Sequence, residues 1–270
     1  MPVLAMTREM GSLGSVIAQE VARQLGYRFL RNDLLRDAAA EYRVRESRLV
    51  GVMEEVPGLV ERLRRPRFRY RSYLEAVVLE AALQDRVVLV GRWSTLFLRG
   101  IAHAVRVRVC APAEVRVRRV MERRGVDGAE AARRIAAYDD GVRVRMRQMF
   151  DVDWTDPLLY DLVINTEAVA PMTAVGQVVG LVAAAEFQPT AASRQLLADR
   201  AMAARLRATL KATMATARVD VDIQVTEGRV TLAGVVETET EREDVLAVVR
   251  ETSGVTDVSS EVKVFRRPVR

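Results

Sequence analysis

The chain is short of cysteine, histidine and lysine, and each scarcity removes a class of chemistry. Cys110 is the single cysteine, so no internal disulfide and no cysteine metal cluster can form, and it reads as a buried, inert thiol. His103 is the single histidine, which argues against a histidine triad or a zinc site and for a structural or solvent-facing residue. Lys211 and Lys263 are the only lysines among 42 basic residues, an arginine bias that weakens any one arginine as a signal. No uncharged apolar stretch reaches the roughly 18 residues that span a bilayer, and Met1-Pro2-Val3-Leu4 lacks the pattern of a signal peptide. The expectation is a cytoplasmic protein without a transmembrane segment. With 50% hydrophobic residues the chain is not disordered, and 270 residues favour two domains.

The net charge is +6 and the sequence pI about 9.9. Dividing at Pro189 gives 29 basic and 24 acidic residues before it, and 13 basic and 12 acidic after it. The excess therefore lies in the first part, as binding of anionic nucleotides there would require. Arg62, Arg64, Arg65, Arg67, Arg69 and Arg71 interleave with Phe68 and Tyr70, a pattern that could grip RNA. No recognised nucleic-acid module surrounds them, so nucleic acid is not the expected partner and a flap over a nucleotide site is the preferred reading.

Thr7-Arg8-Glu9-Met10-Gly11-Ser12-Leu13-Gly14-Ser15 joins the apolar run Val3-Leu4-Ala5-Met6 to a helical pattern carried by Val16, Ile17, Val21 and Leu25, which Gly26 stops. Strand, glycine loop and helix form the layout of a phosphate-cradling turn, in which main-chain N–H groups and the helix N-terminus attract an anion. A phosphate loop of the usual kind would place lysine at position 14 and glycine at positions 8 and 13. Only arginines can supply the missing charge, and Arg8 stands on the loop itself.

Further on, Val87-Val90 reads as a buried strand ending in Gly91-Arg92, where an anion would collect beyond the strand's carboxyl end. Val105-Val109 alternates as a strand less buried on one face, and helices are expected over 113–124 and 128–150, with Arg116, Arg119, Arg134, Arg143, Arg145 and Arg147 along them. Leu162-Ile164 is a last strand before a helix over 172–185. Strands alternating with helices imply a parallel sheet covered on both faces, a three-layer α/β domain. After a linker come a helix, a hairpin turning at Glu227-Gly228, a helix over 238–252 and a final strand through Val258, Val262 and Val264, a small α+β unit expected to be complete in itself.

Two resemblances follow from these segments. Residues 1–187 resemble the cytidylate kinase-like family, a branch of the P-loop nucleoside monophosphate kinases. The loop Thr7–Gly14, the strand Val88–Val90 ending in Gly91-Arg92, the helix start Ala111-Pro112-Ala113-Glu114-Val115-Arg116, the pair Asp140 and Arg143, and Asp153 to Thr166 match its motifs in order. After a linker at 188–192, residues 193–265 resemble a BON domain, with the hairpin at Gly228, Gly234 closing its second strand and Gly254-Val255 entering its last. Two positions depart from the kinase branch: Leu13, whose side chain is expected to crowd the phosphates, and Arg31, where the branch tends to carry Asp.

The resemblance implies ATP-dependent phosphoryl transfer to CMP, dCMP or a related acceptor. Gly11, Ser12, Gly14 and Ser15 would offer N–H groups to ATP, with the Ser15 hydroxyl also on magnesium. Arg92 would hold the acceptor phosphate, Arg116, Arg119 and Arg143 would close over the transferring group, and Arg8 would replace the lysine. The other reading is a nucleotide-binding regulatory module that turns over weakly or not at all and acts through the BON domain on a protein or phospholipid partner.

Overall fold

Residues 1–31, 33–49, 66–91 and 93–265 are described by a computed structural model of the chain. Strands β1 (Val3–Arg8), β2 (Arg28–Leu30), β3 (Val87–Val90), β4 (Ala104–Cys110) and β5 (Leu162–Asn165) form one parallel sheet in the order β2-β3-β1-β4-β5. Alternating with them are α1 (Gly14–Leu25), α2 (Asp33–Glu41), α3 (Pro66–Leu83), the single turn α4 (Ser94–Phe97), α5 (Ala113–Arg124), α6 (Gly128–Phe150) and α7 (Pro171–Ala183). The expected three-layer α/β domain is therefore present.

Central strands of such a sheet are apolar at every position because both faces are covered. In β1, Val3 and Ala5 enter the core shared with α3 and α6, while Leu4 and Met6 enter the core shared with α1 and α7. In β4 the face expected to be less buried is so at Arg106 but not at Arg108, and both are paired: Arg106 with Asp161 at 2.6 Å and Arg108 with Glu9 at 2.6 Å. Burial inside a covered sheet forces each guanidinium to take a carboxylate partner. Val16, expected on the inner face of α1, is 55% exposed, and Ile17, Ala18 and Val21 make that face instead.

Helix α3 starts at Pro66. Arg69 is thereby on a helix, its Nε donating to the Tyr73 hydroxyl, and Arg71 lies 4.8 Å over the Phe150 ring. Aromatic partners hold these two arginines on α3, which corrects the flap reading for them. Arg62, Arg64, Arg65 and the side chains of Arg67 and Phe68 lie outside the described residues.

The second unit comprises α8 (Ala191–Ala212), β6 (Val221–Thr226), β7 (Arg229–Val236), α9 (Glu239–Glu251) and β8 (Asp257–Val264). β6 and β7 pair antiparallel around Glu227 and Gly228, both at positive φ, and β8 joins β7 in parallel. Thr190 and Thr238 close capping boxes at the starts of α8 and α9.

This unit is not complete in itself. Leu197, Ala201, Ala204 and Ala208, spaced along one stripe of α8, are buried in the first domain's core, and Ala203, Leu206 and Leu210 on another stripe are buried in the second's. Polar contacts follow the same seam. His103 Nδ1 lies 2.8 Å from Ser193 Oγ, Tyr73 donates to the Lys211 carbonyl at 3.1 Å, and Arg207 meets Glu75 at 3.4 Å. Met214 is 94% exposed because the helix has ended at Ala212.

Candidate phosphate site

β1 ends at Arg8 and α1 starts at Gly14, so the loop between them sits at the carboxyl edge of the sheet next to the central strand. Three features set its path. Gly11 has φ +83°, and a Cβ there would lie 2.9 Å from the Arg116 carbonyl, so only glycine fits. Ser12 is fully buried, its N–H and hydroxyl both donating to the Glu9 carbonyl at 3.3 and 2.9 Å. Leu13 caps α1 at φ +61°, a left-handed conformation that strains a branched side chain by roughly 1 kcal/mol.

Charge holds the loop from below. Glu9 accepts from Arg108 Nη2 at 2.6 Å and from the Ala111 N–H at 3.1 Å, and lies 3.4 Å from Arg116 Nε. Arg116 also donates to the Ala111 carbonyl at 3.0 Å and forms a two-pronged pair with Asp139 of α6 at 3.2 and 2.9 Å. Arg119 closes the other side, donating from Nη1 to Thr166 Oγ1 at 2.9 Å and from Nη2 to the Thr166 carbonyl at 2.7 Å. The Thr166 hydroxyl donates in turn to the Ser12 carbonyl at 2.9 Å. Loop, α5, α6 and the end of β5 thus form one hydrogen-bonded body.

Above the loop lies a cleft of about 700 Å³. Arg8, Arg31, Arg119, Arg123, Arg124 and Arg145 line it, and among the described residues the one carboxylate in the lining is Glu9, already paired with Arg108. Gly11, Gly14 and Ser15 form the floor, where the first N–H groups of α1 have no partners within the helix. Arg8 Nε donates to Ser15 Oγ at 2.9 Å, Arg8 Nη1 to the Tyr138 hydroxyl at 3.3 Å, and that hydroxyl returns a bond to the Arg8 carbonyl at 3.2 Å. A concave surface with six guanidinium groups and a helix N-terminus is suited to a polyphosphate.

Of the residues singled out in the sequence, Arg8, Gly11, Gly14, Ser15 and Arg119 meet at this cleft. Ser12 is internal to the loop, where both its donors are used. Arg116 is buried beneath the loop as a brace. Arg143 is not part of the cleft lining and pairs with Asp140 at 2.7 Å on the exposed side of α6. Arg92 lies outside the described residues. Sequence reasoning missed Tyr138, Arg123 and Arg124; nothing in their spacing separates them from the surface residues of α5 and α6.

Burial pushes the Cys110 thiol above its ordinary pKa, although the residue is half-buried rather than buried as expected. Burial likewise pushes Tyr160 up to about 12, and its hydroxyl donates to the Trp154 carbonyl at 2.6 Å. Asp153 and Asp156 brace the turn around Pro157 by accepting from the Thr155 and Leu158 N–H groups, both at 2.9 Å. Among the described residues no group of three or more His, Cys, Asp or Glu could hold a metal, and no helix is long and apolar enough to cross a membrane.

Comparison with known proteins bears on the fold and the family. The model of the cytidylate kinase-like family matches residues 3–168, and that of the BON domain matches residues 198–265. A cytidylate kinase of Ignicoccus hospitalis is 27% identical over 174 residues, 63% of this chain and 93% of the relative. A cytidylate kinase of Methanopyrus kandleri is 37% identical over 95 residues, 32% of this chain and 49% of the relative, so the chain spans about half of that relative's length. An uncharacterized protein from Eubacterium ventriosum shares the fold with a TM-score of 0.53 at 19% identity, covering 68% of this chain and 99% of that one.

Proposed function

The chain belongs to the cytidylate kinase-like family of phosphotransferases, and from that premise we propose that it transfers the γ-phosphoryl group of ATP to CMP, dCMP or a related nucleoside monophosphate. The observation that carries the reading is the six-arginine cleft over the start of α1. Phosphoryl transfer asks little covalent chemistry of a protein; donor and acceptor must be held in line while cations spread the charge of the group in flight.

In this reading the amides of Gly11, Gly14 and Ser15 receive the triphosphate, and Arg8 and Arg119 lie against it from opposite sides. Magnesium would arrive on the nucleotide, with the Ser15 hydroxyl as its protein ligand, since no carboxylate cluster is present among the described residues. Arg92 is assigned to the acceptor phosphate, with Arg31, Arg123 and Arg124 as further cations of the cleft. Arg116 acts by holding Glu9 and Asp139, which keeps the loop in place. Arg143 is two positions from Arg145 on α6, which turns it about 200° away on a helix, so Arg145 is the better assignment for closing over the transferring group.

Purified chain with ATP, magnesium and CMP or dCMP should form ADP, and Arg92→Ala should abolish that activity. Absence of ADP above background with every monophosphate tried would remove the reading. A second reading, a nucleotide-binding regulator acting through the BON domain on a protein or phospholipid surface in the cytoplasm, is favoured by α8, whose two faces serve both cores. Nucleotide binding without turnover by calorimetry would support it, and sedimentation of the full chain with anionic liposomes would distinguish phospholipid from protein as the partner. Leu13→Gly bears on both readings: if the side chain restricts the cleft, the variant should bind nucleotide more tightly and turn it over faster.

A further inference from the structure

We propose that the phosphate-binding cation of this chain has moved from the helix to the strand: Arg8 at the end of β1 serves the β- and γ-phosphates in place of a lysine at position 14, and Gly14 is glycine because Arg8 fills the space that lysine would need. The inference rests on the phosphotransfer reading and names the residue that carries its central charge.

The first observation is steric. Gly14 does not have a positive φ, so its backbone does not require glycine. A Cβ there would instead stand 2.6 Å from the Arg8 Cβ and 3.0 Å from the Val109 Cβ. Neither neighbour can retreat. The Arg8 Cβ is fixed to a strand paired through Val109, and Val109 is fully buried. Positions 8 and 14 therefore share room for one side chain. In the usual loop, G-x-x-x-x-G-K-[ST], the lysine takes that room and glycine ends the strand. Here the two are exchanged.

The second observation is where the guanidinium goes. Its Nε reaches the Ser15 hydroxyl at 2.9 Å, one residue into α1, and its Nη1 reaches the Tyr138 hydroxyl at 3.3 Å. Tyr138 donates back to the Arg8 carbonyl at 3.2 Å, so α6 holds both ends of the same residue. This sets the guanidinium over the N-terminus of α1 and within the arginine-lined cleft. A lysine would give a point charge, whereas the planar fork can hold two phosphate oxygens at once. Tyr138 is in this scheme a positioning residue for Arg8.

Calorimetry of the full chain with MgATP, in the absence of acceptor, tests the exchange. Arg8→Gln keeps the side chain's stem but removes its charge, and should weaken MgATP binding by about 10- to 100-fold while leaving AMP binding unchanged. Arg8→Lys should recover part of the loss. Gly14→Lys alone should lower the melting temperature, because two stems then compete for one space. Arg8→Gly combined with Gly14→Lys should restore MgATP affinity relative to Arg8→Gly alone, whereas Arg8→Gln combined with Gly14→Lys should not. Equal MgATP affinity in Arg8→Gln and the parent chain, or the same loss for AMP as for MgATP, would overturn the exchange and leave the phosphotransfer reading standing. A folded parent chain that gives no heat with MgATP would instead remove the phosphotransfer reading, and the exchange with it. Should the combined variants fail to fold, the Arg8→Gln and Arg8→Lys titrations decide alone.

Discussion

The two halves of the molecule both rest on apolar cores but differ in the buried polar groups they add. Around the phosphate loop the chain buries Arg108 and Arg116 together with Ser12 and Thr166, and fixes their positions through carboxylates and carbonyls. The BON half buries Val219, Ile223, Val230, Leu232, Val245, Val249 and Val262, with capping boxes and a glycine hairpin setting its ends. Apolar burial is non-directional and tolerant of small shifts, whereas a buried ion pair is costly unless every partner is in place. The first half thus spends stability on a defined geometry where charge must be handled, and the second has no such demand.

The largest test of this contrast is Arg116→Ala. It leaves Glu9 short of one cation and the Asp139 carboxylate without its two-pronged partner, and should cost about 3 kcal/mol of stability in urea titration. Because the side chain is buried, added salt should not reproduce the loss.

Leu197→Ala comes next, at about 2–3 kcal/mol, since Leu197 is buried in the first core from a helix that also builds the second. Amide exchange should quicken in both halves; faster exchange in the kinase-like half alone would show the cores to be independent. Thr238→Ala, which removes only a cap in the BON half, should cost about 1 kcal/mol and leave nucleotide binding unchanged.

The smallest effect is a pH slope at the seam. Burial holds His103 below the usual imidazole pKa near 6.5, against an opposing pull from Asp85. The unfolded chain then binds the proton more readily than the folded one, so stability is full above about pH 6.5 and falls as pH drops through the folded value. His103→Gln should flatten this slope in denaturant titrations between pH 7 and 5.

Much of this arrangement is legible in the sequence because local signals agree with the fold. α5 and α6 begin and end where expected: Pro112 and Asp127 precede them, and Gly125 follows α5 in the left-handed conformation. The strands Val87–Val90 and Leu162–Asn165 follow from short apolar runs between turn residues. The loop is legible by position, and Arg8 lines the cleft above it.

What was not legible depends on which way a helix face points. Arg143 and Arg145 are equivalent as letters, yet one is on the outer side of α6 and the other lines the cleft. The inner stripe of α8 is mostly alanine, a residue too small and too common to announce burial, so the helix read as belonging to one domain only. Tyr138 carries no motif; its role arises only when α6 is laid across the loop.

That alanine stripe also governs how the molecule could be taken apart or could have been assembled. The BON family match begins at residue 198, inside α8, although Leu197 and Ala201 from the same helix wall the kinase-like core. A cut placed at 188–192 would strip a plank from the first domain, exposing an apolar groove along α3 prone to self-association. A cut after Ala212 would leave that core intact but deprive the BON sheet of Leu206 and Leu210. The pair is therefore not a modular fusion in which either partner can be exchanged: a grafted BON unit would need to bring a helix with two compatible faces, and both faces would have to evolve together.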